Sequence, residues 1–216
     1  VLTGDTLFLR ANELAATEED VRVGRLVAAA AKATCSGEIA QSLTARENIR
    51  ISYEQYERFL LLKTGKLFGL SCELGSYLAG EDLETQAAFR AYGENFGIAY
   101  QLYDDAVDIW GSEAEYKKTL GTDQLQQKWT FPWLKLAEKV GYEKAQALFF
   151  DREKALQKFQ ENGIDKIADN LLEGRLNAAM DALKGHPRAS EFEFPLSAIR
   201  QKWSELRQER KARAEA

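Results

Sequence analysis

The sequence predicts an all-α protein, and three observations carry that reading. Only three prolines interrupt 216 residues. Long stretches place apolar side chains at helical spacing. Several of these stretches open on acidic or capping residues, as helix starts do. A first helix is expected over residues 6–16. After ATEED, whose acidic residues suit a first turn, VRVGRLVAAAAKATCSGEIAQSLTA (21–45) forms the second. SYEQYERFLLLKTGKLFGLSCELGSYLAG (52–80) gives a third, with Ser52 as N-cap, Gln55 completing a capping box and Gly80 near its end. EDLETQAAFRAYGENFGIAYQLYDDAVDIWG (81–111) is the fourth, again acidic at its start and closed near Gly111. Residues 112–131 read as a polar loop, and Pro132 restarts helix into WLKLAEKV. Two helices follow at 142–161 and 164–184. GHPRASEFEFP separates them from a charged terminal helix, 196–216, which should pack through Leu196, Ile199, Trp203 and Leu206 and fray over its last ten residues.

Composition bounds the function. The length suffices for one large domain, and 45% apolar residues fit a globular chain. A net charge of −5 does not point to a nucleic-acid partner. Cys35 and Cys72 form no disulfide framework, so a reducing cytoplasm is the simpler location. His186, the single histidine, lies in the turn-like KGHPR and reads as a surface imidazole. Ser-His-Asp, Cys-His and histidine-rich metal chemistry therefore have no raw material. Every apolar stretch is interrupted well before the roughly 18 residues a membrane span needs. The chain opens on VLTGDTLFLRANELAA, with neither an initiator Met nor a signal-peptide pattern, so a processed or incomplete polypeptide is expected.

The chemistry gathers in YQLYDDAVDIWG (100–111). Asp104 and Asp108 share a helix face, with Asp105 close beside them. Like charges and poor helix propensity should cost an isolated helix roughly 1–2 kcal/mol there. Either solvent or a cation balances that cost. Gly97, Gln101, Asp104, Asp105 and Asp108 form one polar stripe between apolar flanks, acidic plus an amide, without cationic partners at helical spacing. A solvated face would mix both signs, so the stripe favours an external cation. Oxygen donors suit Mg²⁺ rather than zinc or copper. Lys63 and Thr64 sit in the apolar run FLLLKTGKLFG, and Lys117, Lys118 and Lys128 follow the aspartates. Each lysine alone reads as a surface residue. Gly65, Gly69, Gly75, Gly93 and Gly97 each cost about 1 kcal/mol of helix propensity, offset by close packing or by room for a ligand, the latter reasonable for Gly97.

The order of these pieces resembles the trans-isoprenyl diphosphate synthases, the polyprenyl synthetase family. VLTGDTLFLRA is similar to that family's V-L-x-G-D-x-L, GEIAQ to G-E-x-x-Q, and LLKTGKLF to K-T-x-x-L-F. YGENFGIAYQLYDDAVD resembles Y-G-x-x-x-G-x-A-F-Q-x-x-D-D-x-x-D, with Tyr100 in place of Phe. KKTLGTDQLQQKWTFP resembles G-K-x-x-G-x-D-x-x-x-x-K-x-T-L-P, with Lys117 for Gly and Phe131 for Leu. Past residue 140 the likeness is only helical and compositional.

The resemblance implies a bundle of long helices of the isoprenoid synthase type, with two aspartate-rich motifs facing a deep cavity. It assigns DDAVD to the second motif and places the first shortly before VLTGD, so the expected fold lacks the N-terminal helices that would carry it. Residues 1–190 would be that N-terminally incomplete helical domain, and 191–216 a charged C-terminal helix. The implied reaction is Mg²⁺-dependent condensation of isopentenyl diphosphate with an allylic diphosphate to a longer trans-prenyl diphosphate. Asp104 and Asp108 would hold metal, with Asp105 the less certain ligand. Lys63, counted with them as catalytic, would join Thr64, Gln101, Lys118 and Lys128 in steadying the allylic diphosphate. A cytoplasmic homodimer is the expected assembly. The alternative is a non-catalytic partner subunit of a heteromeric synthase, lacking the first aspartate motif.

Overall fold

The computed structural model describes residues 2–112, 116 and 119–214. The described residues form helices joined by turns and short irregular links, with no strand among them. In order they form α1 (Leu2–Thr17), α2 (Val21–Arg46), α3 (Tyr53–Leu60), a π turn (Leu61–Gly65), α4 (Lys66–Leu78) and α5 (Leu83–Trp110). Then come α6 (Thr122–Leu125), α7 (Phe131–Val140), α8 (Tyr142–Gln146), α9 (Arg152–Glu161) and α10 (Ile164–Ala182). A 3₁₀ turn (Ala189–Phe192) leads into α11 (Glu193–Ala214).

Helix α5 is the axle. Its 28 residues reach roughly 42 Å at 1.5 Å per residue, and α4, α10 and α11 all pack against it. Leu102, Ala106, Ile109 and Trp110 of α5 share one core with Phe131, Trp133 and Leu136 of α7 and with Leu172 and Leu176 of α10. Aromatic edges lock its lower end: Trp133 meets Phe149 at 4.6 Å and Phe159 at 4.9 Å, and Trp110 meets Phe159 at 5.8 Å.

The local signals that start these helices are present as side-chain bonds. Ser52 accepts from the Gln55 amide at 3.2 Å while the Gln55 side chain accepts from the Ser52 amide at 2.8 Å, a closed capping box. Asp82 caps α5 through the Thr85 amide at 2.8 Å. Between α4 and α5 the backbones touch. A Cβ on Gly93 would lie 2.5 Å from the Phe68 carbonyl oxygen, and one on Gly97 would lie 2.9 Å from the Gly65 Cα. Gly97 therefore serves packing, and the room for a ligand expected beside it is filled by helix α4. Glu73, 4% exposed, ties three helices by reaching Arg22 of α2 at 3.5 Å and Arg90 of α5 at 3.4 Å.

Several expectations change. The first helix starts at Leu2 rather than residue 6. The third is interrupted by the π turn, and the supposed loop 112–131 contains α6. The helix expected at 142–161 is two, because Asp151 caps a new start through the Lys154 amide at 3.1 Å. The terminal helix begins at Glu193 and stays helical to Ala214 instead of fraying. Leu196, Ile199, Trp203 and Leu206 are all buried, as the spacing predicts. Beyond them the packing continues through cations. Arg207 and Arg210 pair with Asp169 of α10 at 3.4 and 3.2 Å, and the Arg210 guanidinium lies 5.0 Å from the Trp110 ring and 5.4 Å from that of Trp203. Helix α1 contrasts with this, since it buries no residue and leaves Leu2, Leu7, Phe8, Leu9 and Leu14 exposed. Among the described residues no helix is long and apolar enough to cross a membrane.

Candidate active site

The residues singled out in the sequence come from separate segments, and the fold carries most of them to one place. Gly37 lets α2 touch the π turn: a Cβ there would sit 2.7 Å from the Lys63 amide nitrogen. At that crossing the Lys63 Nζ donates to Gln41 Oε1 at 2.8 Å, and Gln41 is 3% exposed. The π turn widens the helix at LLKTG, a feature that recurs at functional sites, and presents Lys63 and Thr64 to different neighbours. Thr64 Oγ1 donates to Gln101 Oε1 at 3.0 Å, and Gln101 Nε2 donates to Asp105 Oδ1 at 2.9 Å. The other oxygen of Asp105 accepts from the Tyr56 phenol at 2.6 Å.

Asp105 is thus an interior carboxyl with both oxygens engaged. Burial first, and the Asp123 carboxylate second, push its pKa up to about 7, against the opposing pull of Lys63 and the two donors. Burial and Asp105 together hold the Tyr56 phenol well above its ordinary range, so it stays a donor. Both oxygens of Asp105 are therefore committed to donors on other elements. Asp104, one residue earlier, is half-buried.

Asp108 fastens the next segment. Its Oδ1 accepts from the Thr122 amide at 3.3 Å and from the Thr122 hydroxyl at 3.1 Å, and its Oδ2 accepts from the Asp123 amide at 3.3 Å. The Gly121 amide donates to the Asp108 carbonyl at 3.1 Å, from a φ of +73° that glycine adopts without strain. Asp123 then pairs with Lys128 at 3.5 Å. Burial, and after it the Asp108 carboxylate, raise the Asp123 pKa. Lys128 is consequently a half-buried ion-pair partner and not a surface lysine. Lys117 and Lys118 lie outside the described residues.

Reasoning from sequence missed Gln41, Tyr56 and Asp123. Gln41 closes the quoted GEIAQ, and Asp123 stands five residues before Lys128 within the quoted GTDQLQQK, so both were in view without a role. Tyr56 stands two helical turns before Lys63, and only the fold shows that it reaches Asp105. The donors around α5 are carboxylate oxygens, the set a hard divalent cation takes. Among the described residues no group of three or more His, Cys, Asp or Glu side chains is arranged to hold an ion by itself.

A bundle without strands among the described residues, built around a long central helix whose C-terminal half carries the aspartates and meets Lys63 and Thr64 of the π turn and Asp123 of the segment after it, has the all-α isoprenoid synthase fold. A solved polyprenyl synthase from Caulobacter crescentus, complexed with calcium and isoprenyl diphosphate, matches 95% of this chain with a TM-score of 0.76 and 29% identity, over 63% of that chain. The polyprenyl synthetase family model matches residues 1–164, and the chain belongs to that family. It is 28% identical over 185 residues to octaprenyl diphosphate synthase of Haemophilus influenzae, covering 85% of this chain and 55% of that protein. It is 30% identical over 132 residues to heptaprenyl diphosphate synthase component 2 of Bacillus subtilis, covering 61% of this chain and 38% of that one. The chain therefore spans about half the length, or less, of these two relatives.

Proposed function

We propose that the chain carries the second aspartate-rich half of a Mg²⁺-dependent prenyltransferase, which condenses isopentenyl diphosphate with an allylic diphosphate to a longer trans-prenyl diphosphate. One observation supports this above others: Lys63, bonded to Gln41, and its chain neighbour Thr64, bonded through Gln101 to Asp105, lie beside a cluster in which Asp108 of the same helix fastens Asp123, itself paired with Lys128. The two groups interact, since Asp123 and Lys63 both act on the charge of Asp105. Carboxyl groups crowded in the interior, with the pKa values of Asp105 and Asp123 raised by burial and by a neighbouring carboxylate and with fewer lysines than acids among them, suit a divalent cation.

Asp104 and Asp108, one turn apart on α5, would hold Mg²⁺. Asp105 positions them by anchoring α5 to Tyr56 and, through Gln101, to Thr64. When bound, Mg²⁺ supplies neutralisation of the charge that develops on the departing pyrophosphate. Lys63 and Lys128, with Lys118 proposed as a third, set positive charge against the allylic diphosphate. Thr64 and Gln101 fix the wall beside it. The proton lost after carbon–carbon bond formation needs no histidine, because the released pyrophosphate accepts it.

Two carboxylates on one helix would hold Mg²⁺ weakly, and diphosphate oxygens would add to them. Calorimetric titration of the full-length protein with Mg²⁺ should show weak binding alone and much tighter binding with an allylic diphosphate present. Tight Mg²⁺ binding without any diphosphate would count against the assignment.

A second reading rests on two observations. One relative is named component 2 of a synthase, and α1 leaves five large apolar side chains exposed. These support a role as one component of a heteromeric synthase. Product formation by the full-length protein purified alone, sedimenting as a homodimer, supports the first reading. Product formation only after a second component is added supports the other.

A further inference from the structure

A cavity of about 510 Å³ opens where the C-terminal end of α5 meets α9, α10 and α11, within the size range of small-molecule sites. Its walls include α10 and α11, and the polyprenyl synthetase match ends at residue 164, where α10 begins. Trp110 and Leu156 supply apolar wall. The charges around it do not balance: Lys166, Arg207, Arg210 and Lys211 face only Asp165 and Asp169.

Asp169 has nothing left to give. It accepts from the Trp203 indole at 2.8 Å and from Arg210 at 3.2 Å, and it pairs with Arg207 at 3.4 Å. Lys166 and Lys211 make no ion pair among the described residues. Arg210 is the interior member, with a side chain 11% exposed and an Nη1 that has no hydrogen-bond acceptor among the described residues. Burial works against its charge and lowers the guanidinium pKa. A buried cationic donor without an acceptor is a group that an anion would satisfy. Gln160 adds a neutral amide to the lining.

We propose that this cavity is a second binding site, separate from the aspartate site, for a small amphipathic anion: one anionic group carried on an apolar body. The cationic rim takes the anionic group, and Trp110 with Leu156 takes the apolar part. Because Trp110 lies two residues from Asp108 on the same helix, an occupant sits next to the last turn of the proposed catalytic helix.

The test is binding, so it does not depend on whether the chain condenses prenyl diphosphates. The fluorescent probe 8-anilinonaphthalene-1-sulfonate is titrated into the protein and into the charge-reversed variant Lys166→Glu/Lys211→Glu. Exposed apolar residues on α1 also attract this dye, so the difference between the two proteins is the reading. Saturable binding should weaken about tenfold or more in the variant, the loss expected when charges facing an anion are reversed. Octyl phosphate should displace the dye, and inorganic phosphate at the same concentration should not. Equal affinity in the two proteins, or no saturable binding to either, would overturn the site. Equal displacement by inorganic phosphate would overturn the amphipathic ligand class. Both lysines are exposed, so the fold should persist; if circular dichroism shows otherwise, Lys211→Gln replaces the double variant and must weaken binding in the same sense.

Discussion

The two halves of α5 are held by opposite means. Up to its middle it meets α4 and the end of the π turn backbone to backbone, where Gly93 and Gly97 leave no space for even one carbon. Its C-terminal half is placed by side-chain hydrogen bonds to residues far away in sequence, and it buries carboxyl groups to do so. The first arrangement is intolerant of volume and balances its charges across the seam, Lys66 with Glu94 and Arg90 with Glu73. The second concentrates like charges, which lowers stability unless the groups have work to do. The contrast separates what fixes the helix from what the helix is for.

Substitutions in each half should therefore fail differently. The largest effect belongs to Asp104→Ala in the full-length protein: turnover falls by about 10²–10³, equivalent to about 3–4 kcal/mol of transition-state stabilisation. Its melting temperature stays the same or rises, since a like charge is removed and helix propensity improves. Full activity in a condensation assay would end the role assigned to Asp104. Next comes pH. The Asp105 carboxyl has a folded pKa above its unfolded one, so the folded state holds a proton that the unfolded state has lost, and stability drops as pH rises between the two values. From about pH 4 to pH 6 wild type should lose about 2 kcal/mol that Asp105→Asn keeps, read by urea unfolding at each pH. Parallel pH profiles would show that Asp105 is ionised throughout. Asp123, whose pKa is also raised, contributes a slope of the same sign in both proteins.

In the other half, Gly93→Ala should cost about 2 kcal/mol net, overpacking outweighing the gain in helix propensity. Activity per folded molecule should hold. An unchanged melting temperature would mean that the seam does not set the position of α5. The smallest effect is Lys63→Ala, which should weaken binding of an allylic diphosphate about tenfold, or about 1.4 kcal/mol, by removing a charge from a half-buried place. Unchanged affinity would leave Lys63 as a tether for Gln41 alone.

Much of this was legible without coordinates. Periodicity and the Ser52–Gln55 box located the long helices, and the ordered motifs pointed to the family. The π turn left no signal, because an extra residue inside a helix changes no local propensity. The break before α9 was missed because Asp151 makes a cap without a glycine or proline beside it. Helix α6 escaped because Asp108, fourteen residues away, supplies its bonds. Arg210 was read as frayed surface, since an apolar count cannot see a guanidinium resting on two indoles. In the site, spacing grouped the three aspartates, but only tertiary contacts distinguish the half-buried Asp104 from the fully engaged Asp105.

The glycine seam also has a consequence in time. Helices α4 and α5 are joined by residues 79–82 alone, so their close contact needs little loop closure and belongs to the early events of folding. The bonds of the site span longer stretches of chain, 49 residues between Tyr56 and Asp105 and 22 between Gln41 and Lys63. Pulsed hydrogen exchange during refolding should protect the facing amides of α4 and α5 first, with the amides around Lys63 and Thr122 following. A hairpin that docks early, with its own carboxylates Glu73 and Glu94 paired to Arg90 and Lys66 across the seam, gives the chain a rigid template before the aspartates of the site have to leave water.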